Sequence, residues 1–305
     1  MADIIGRPVR ITSISFAIGR TLEAVARLVD HEGERGVDLI VLPETWLGQK
    51  AHEPETLDGP TITTVASLAR KHSCWIVCPI DRADGARRLN SAVLIDRKGS
   101  IACVYDKIFP FQLELEAQPP VRRGQEVSVH ATDFGVIGMA ICFDVNFPEI
   151  WQGMARGGAE LVAWPSEYAG GTTLQAQALM NHYYIVSATQ ARQCLVYDIT
   201  GREMLSESSS GFNVSRIVLD LDRGLYHEDF NLAKLEALLA DNKGAVEVEQ
   251  RLPAEKWFVL RALRPGVSAR RLAREYGLEE LRDYIARSRR ELDPTHKGPY
   301  PPDFS

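Results

Sequence analysis

Two hydrophobic periods alternate along the chain, and each marks an element. Across 21–35, Leu22, Val25, Leu28 and Val29 share one face at helical spacing. Gly36 stops that helix, and "VDLIVLPE" follows as a short apolar strand. A second helix is predicted over 60–72, with Pro60 near its start and Ile62, Val65, Leu68 and Ala69 on one face. "CWIVCPI" is the next strand, and "LNSAVLID", the turn "RKGS" and "IACVYDK" read as a hairpin. The apolar run "GVIGMAI" then leads into Cys142. Beyond it come a helix over 148–156, the strand "AELVAWPS", a helix over 172–183, and the strands "YIVSATQ", "CLVYDIT" and "RIVLDLD". After about Tyr226 the strands are expected to stop, and "FNLAKLEALLADN", "AEKWFVLRALRPG" and "SARRLAREYGLEELRDYIARSRREL" read as helical. The pattern predicts an α/β class, a mixed sheet layered with helices over 1–230, and a helical C-terminal extension over 231–305.

One frame recurs. "GVDLIVLPETW" (36–46) and "GAELVAWPSEY" (158–168) share Gly-x-acid-Leu-aliphatic-x-x-Pro, each after a helix. Two related halves would produce this, and so would any buried strand that follows a helix.

Composition narrows the class. The chain has 305 residues, 45% hydrophobic and 25% charged, as a soluble globular protein with a real core would. No apolar run approaches the ~20 residues that span a bilayer. "MADIIGRPVRITSISFAIG" lacks a basic segment followed by a long apolar one, so no signal peptide is expected. Five cysteines form no regular framework, which points to free thiols in a reducing cytoplasm. The net charge of -6 disfavours nucleic acid as main partner. Residues 251–291 nonetheless carry eleven Lys/Arg against six Asp/Glu.

Three strands end in residues unsuited to a core: "DLIVLPE" at Glu44, "IACVYDK" at Lys107 and "GVIGMAIC" at Cys142. In layered α/β proteins strand ends deliver side chains to a shared crevice. A carboxylate there can take a thiol's proton, and a lysine with a backbone N–H can hold a tetrahedral oxyanion. Carboxylate and ammonium would also keep each other charged. Taken singly, Cys142 reads equally as a buried structural thiol, and Glu44 and Lys107 as solvated strand ends.

"LPETW", "YDKIFPF" and "ICFDVNFPE" together resemble the nitrilase superfamily of carbon–nitrogen hydrolases, in the order of its Glu–Lys–Cys triad. Further likeness lies in "WPSEY" (164–168) and "ALMNHYYIVSATQ" (178–190), and the resemblance covers roughly 8–225. It implies a four-layer α-β-β-α sandwich with the two repeated frames in one pseudo-symmetric core, and a homodimer or larger homo-oligomer joined through helices. It implies Cys142 as nucleophile, Glu44 as general base, and Lys107 with the N–H of Phe143 as oxyanion donors. A second glutamate after the lysine would be Glu114, seven residues on, with Glu116 as the alternative. No metal or organic cofactor is required.

The resemblance also bears on substrate. Nitrile-cleaving members carry Trp-Glu after the cysteine, where this chain has Phe143-Asp144. Carbamoyl-amino-acid hydrolases carry an arginine pair where it has Val145-Asn146. A small neutral amide is therefore expected, with nitrile or N-carbamoyl hydrolysis as the alternative. Asn146, Ser166 and the loop 166–171 are expected to read the substrate, Trp164 to be core, and Asn181 to support the site or cap its helix. Rival readings use His182 or His130 as base for another cysteine hydrolase. A metal site is disfavoured, because Cys74 and Cys78 have no partner pair. From another class, 266–285 has the outline of a helix-turn-helix, which would suit a retired catalytic core with a regulatory, nucleic-acid-binding tail.

Overall fold

The structure, a computed structural model, describes residues 4–48 and 53–292. The chain forms two compact units, Val9–Val218 and a smaller one whose described part is 4–8 and 219–292. The division therefore falls ahead of the expected 230/231 boundary. Leu221 N–H bonds Arg7 O at 3.0 Å and the Asp220 carboxylate takes Arg7 N–H at 2.8 Å, so this stretch already belongs to the smaller unit.

The larger unit runs β1 (Pro8–Ser15), α1 (Leu22–Gly33), β2 (Leu39–Val41), α2 (Pro60–His72), β3 (Trp75–Asp84), β4 (Arg87–Ile95) and β5 (Ile101–Asp106). It continues with α3 (Gln112–Leu115), β6 (Val129–Ala131), β7 (Val136–Met139), α4 (Pro148–Arg156), β8 (Leu161–Ser166) and α5 (Gly171–Asn181). β9 (Tyr184–Thr189), β10 (Gln193–Tyr197), β11 (Glu203–Ser208) and all but the last two residues of β12 (Asn213–Asp220) complete it. One sheet has the order β12-β1-β2-β3-β4-β5 and the other β11-β10-β9-β8-β7-β6.

The two sheets match strand for strand. β1, β2 and β3 pair parallel and β4 and β5 add antiparallel; β7, β8 and β9 pair parallel and β10 and β11 add antiparallel. α1 and α2 occupy the same crossovers as α4 and α5. The two "Gly-x-acid-Leu" frames are the equivalent strands β2 and β8, so the repeat records a duplicated architecture.

Strand alternation sorts the layers. Ile40, Leu42, Ile76 and Cys78 pack with Val25 and Val29 of α1 and Ile62, Val65 and Ala69 of α2. Cys74 and Cys78 lie together in this layer as free thiols. On the opposite face β1 presents short polar side chains to the second sheet. Ser13 Oγ donates to Ser187 O at 2.6 Å, and Ser15 Oγ accepts from Thr189 N at 2.9 Å. Ile150, Trp151 and Met154 of α4 and Leu174 and Ala178 of α5 are buried on the second sheet's outer side. The result is the expected α-β-β-α stack.

The smaller unit contains β13 (Gly224–His227), α6 (Leu232–Asp241), β14 (Val246–Leu252), β15 (Trp257–Ala262), α7 (Ala269–Glu275) and α8 (Leu281–Leu292). The extension thus has its helices, but "AEKWFVLRALRPG" is not one of them. Trp257–Ala262 is the central strand of a sheet ordered β13-β15-β14. A short run of aromatic and β-branched residues suits a buried strand as well as a helix, and pairing with β13 and β14 decides it. In the helix pair α7–α8, Arg270 and Arg287 are bound to Glu280 and Glu279 at 2.8 Å each, so those arginines are engaged within the unit. Among the described residues no helix is long and apolar enough to cross a membrane.

Candidate active site

The larger unit holds Glu44, Lys107, Glu114 and Cys142 together. Glu44 leaves the end of β2, where Leu42 N–H still bonds Val77 O at 3.1 Å, and its own carbonyl accepts from Gln190 Nε2 at 2.6 Å. Lys107 follows β5; its N–H bonds Asn90 O and its carbonyl accepts from Gly124 N, both at 2.8 Å. Lys107 Nζ sits between Glu44 Oε1 at 2.8 Å and Glu114 Oε2 at 2.6 Å. Asn90, from β4, donates through Nδ2 to both carboxylates, Glu44 Oε1 and Glu114 Oε1, at 2.7 Å each. Glu114 also accepts the N–H of Phe111 at 2.8 Å, at the start of α3. Glu116 lies on the exposed side of the same turn, bonded to Gln112.

Lys107 is 1% exposed and Glu44 4%. Burial alone would push the lysine toward neutrality, yet Glu44, Cys142 and Glu114 raise its pKa well above the ordinary lysine value. Burial opposes the charge of Glu114 as well, but Lys107 and the donors from Asn90 and Phe111 hold its pKa below the usual carboxylate range. The ammonium is therefore fixed as a cation and acts through its charge. Replacing it tests this: Lys107→Met leaves two buried carboxylates with one amide between them. We expect a loss of about 3–5 kcal/mol at neutral pH. The loss should shrink in acid as a carboxyl takes up a proton, and urea unfolding at the two pH values measures it.

Cys142 opens a 3-10 turn, Cys142–Asn146, directly after β7, and its φ of 46° is a conformation that non-glycine residues rarely adopt. Several groups hold it there. Trp164 is buried as expected and donates its indole N–H to Cys142 O at 3.2 Å. Gly170 passes under that indole: a Cβ there would meet the ring at 2.7 Å, and its φ of 80° suits only glycine. Trp151 Nε1 donates to Asp144 O at 3.0 Å, and Gln177 Nε2 to Val145 O at 2.9 Å. Asn181 reaches Gln177 rather than the turn itself.

The thiol is buried, and burial with the nearby Glu44 carboxylate drives its pKa far up; Lys107, Glu167 N–H and the Ser166 hydroxyl pull the other way. Ser166 is buried at the end of β8 and also accepts Tyr168 N–H at 3.1 Å. Asn146 is exposed; it donates to Phe143 O at 3.1 Å and hydrogen-bonds the Tyr168 phenol, which lies within the field of Cys142 and Lys107. Phe143 is half-buried in an aromatic group, edge-on to Phe111 at 5.5 Å and Phe147 at 5.6 Å. The rival bases lie elsewhere. His182 caps α5 and faces Ile199 O, and the His130 ring packs beside Trp75.

Tyr168 and the backbone N–H of Glu167 belong to this cluster and lie in the loop 166–171 named from sequence, whereas Asn90 was not singled out. The signal for Asn90 was a carboxamide inside the apolar strand "LNSAVLID", a costly placement without polar partners.

Comparison with known proteins bears on the family and the fold. The family model described as carbon-nitrogen hydrolase matches residues 9–224. The nitrilase and fragile histidine triad fusion protein NitFhit of Caenorhabditis elegans is 28% identical over 195 residues, 56% of this chain and 44% of that protein. The deaminated glutathione amidase of Yersinia enterocolitica is 27% identical over 179 residues, 51% of this chain and 63% of that one. The alignments thus span about half to two thirds of these relatives' length. Among solved structures, Saccharomyces cerevisiae Nit3, a member of the nitrilase superfamily, superposes with a TM-score of 0.63 at 18% identity, covering 75% of this chain and 95% of that one. An amidase from Nesterenkonia sp. gives 0.60 at 20% identity, covering 72% and 92%. With a family match across most of its length and the sandwich fold in place, this chain belongs to the carbon-nitrogen hydrolase family.

Proposed function

We propose that the protein hydrolyses the carbon–nitrogen bond of a small amide through a Cys142 thioester. The observation that carries this is a buried lysine held by two glutamates, 2.8 and 2.6 Å away, beside a buried thiol. Among the described residues both hydrogen bonds to the Glu44 carboxylate fall on Oε1, which leaves Oε2 to take the thiol proton. As that proton moves, sulfur attacks the carbonyl carbon and the carbonyl π electrons become an oxyanion. Lys107 and the N–H of Phe143 hold that charge. The carboxylic acid of Glu44 then protonates the leaving nitrogen, the C–N bond breaks, and ammonia or an amine departs. Glu44 next deprotonates a water that attacks the thioester. Collapse expels the sulfur, which recovers its proton, and a carboxylic acid is released. Glu114 and Asn90 keep Glu44 and Lys107 in register during both half-reactions.

Phe143-Asp144 and Val145-Asn146 favour an amide without a carboxylate anchor, and several relatives are named as amidases of deaminated glutathione. An ammonia-release screen should include aliphatic and aromatic amides, carbamoyl compounds, nitriles and deaminated glutathione. We expect neutral amides to be turned over fastest. Nitriles outrunning them would reassign the branch.

Self-association is part of the same proposal. Leu179 and Met180 are 39% and 71% exposed on α5, an apolar pair on an outer helix. Sedimentation velocity should show a homodimer or larger species. A monomer at micromolar concentration would contradict this.

A further inference from the structure

We infer that Asp144, two residues past the nucleophile, is a positioning residue whose ionised carboxylate locks the cysteine turn to the lysine segment. The inference rests on the proposed chemistry of Cys142 and Lys107. Asp144 is fully buried, and its carboxylate bridges two separate stretches of chain. Oδ2 accepts Ile141 N–H at 3.0 Å, next to Cys142, and the Tyr105 hydroxyl at 2.8 Å, at the end of β5. Oδ1 accepts the N–H of Phe109 at 2.9 Å, two residues past Lys107. Three donors thus converge on one carboxylate, and they come from both sides of the catalytic group. The stacked rings of Phe109 and Phe147, 3.5 Å between centroids, join the same two stretches but fix no direction.

The charge state matters because every donor needs an acceptor. A protonated carboxyl carries an O–H of its own, so it turns one oxygen from acceptor to donor against an N–H or O–H already pointing at it. The groups facing Asp144 are Tyr105 from β5, with Asp106 in turn acting on Tyr105, and Lys107 from the segment after it. Burial raises the Asp144 pKa to about 6, and the donors from Ile141, Phe109 and Tyr105, with Lys107, hold it from going higher. The lock is therefore made in neutral solution and lost as the pH falls through that value.

Asp144→Asn keeps the shape and swaps one acceptor for a donor. We expect kcat to fall roughly 10–100-fold, the range for losing an outer-shell partner, with KM changed less than about threefold. The acid limb of the kcat profile near pH 6 should disappear. Tyr105→Phe removes one donor to the carboxylate, so in that variant the limb should move to higher pH. A role confined to stability would move neither limb.

A readout without substrate accompanies these. An aspartate pKa raised in the fold gives stability that is present in acid and lost as the pH rises through the folded value. The Tm of the wild-type protein should therefore gain on that of Asp144→Asn between about pH 7 and 5. An Asp144→Asn enzyme with kcat within about twofold of wild type would overturn the inference, as would an acid limb unmoved in both variants. Should Asp144→Asn fail to fold, the Tyr105→Phe profile decides. An active Cys142→Ala protein would defeat the hydrolase reading instead, while the Tm comparison would still report on Asp144.

Discussion

Cys142→Ala is expected to lower amide hydrolysis by roughly 10⁴-fold or more, the scale on which removing a covalent nucleophile acts. The loss should fall almost wholly on chemistry. Glu44, Lys107, Glu114 and Asn90 are bound to one another, not to the sulfur, so their arrangement survives the substitution. Alanine tolerates the φ of 46° no worse than cysteine does, and the bonds that hold the turn go to backbone carbonyls and to Asp144. The variant should unfold within a few degrees of wild type and still bind substrate. Steady-state ammonia release, with isothermal titration of the same amide, separates the two outcomes. Loss of binding together with activity would mean that Cys142 is structural.

Glu44→Gln is the second large effect, with kcat expected to fall about 10²–10⁴-fold, the usual worth of a positioned general base. Gln keeps an oxygen that can accept from Lys107 and Asn90, so the cluster keeps its shape. What it loses is the ability to take the proton of a thiol whose pKa is driven far above the ordinary value. Both half-reactions need that step, so acylation and thioester hydrolysis should slow together. A pre-steady-state burst would show instead that acylation survives, and that the base is another group.

Much of this site could be read before the fold was known because strand ends announce themselves. Glu44, Lys107 and Cys142 each close an apolar run with a residue that a core rejects. Their meeting follows from placing β2, β5 and β7 in facing sheets. Spacing from the lysine favoured Glu114 and left Glu116 as the alternative. α3 is a single turn, and the bonds from Phe111 N–H, Lys107 and Asn90 to Glu114 show which carboxylate faces inward. Asn90 stayed hidden because one carboxamide in a buried strand gives no hint of its partners, and the role of Asp144 because two of its three donors, Tyr105 and Phe109, come from distant positions. The helices α2 and α4, each opened by a proline, fall where predicted. β15 did not, since a six-residue run, apolar but for Arg261, carries no period long enough to separate strand from helix. The short strands β6 and β11 were missed because half-exposed edge strands lack an apolar run.

The thioester is the central claim, and acid-quenched mass spectrometry during turnover tests it most directly. With a slowly released acyl group, the peptide carrying Cys142 should gain the mass of the substrate acyl minus one hydrogen, and hydroxylamine should discharge it. Turnover with that peptide unmodified, and no hydroxamate formed from hydroxylamine, would contradict the account.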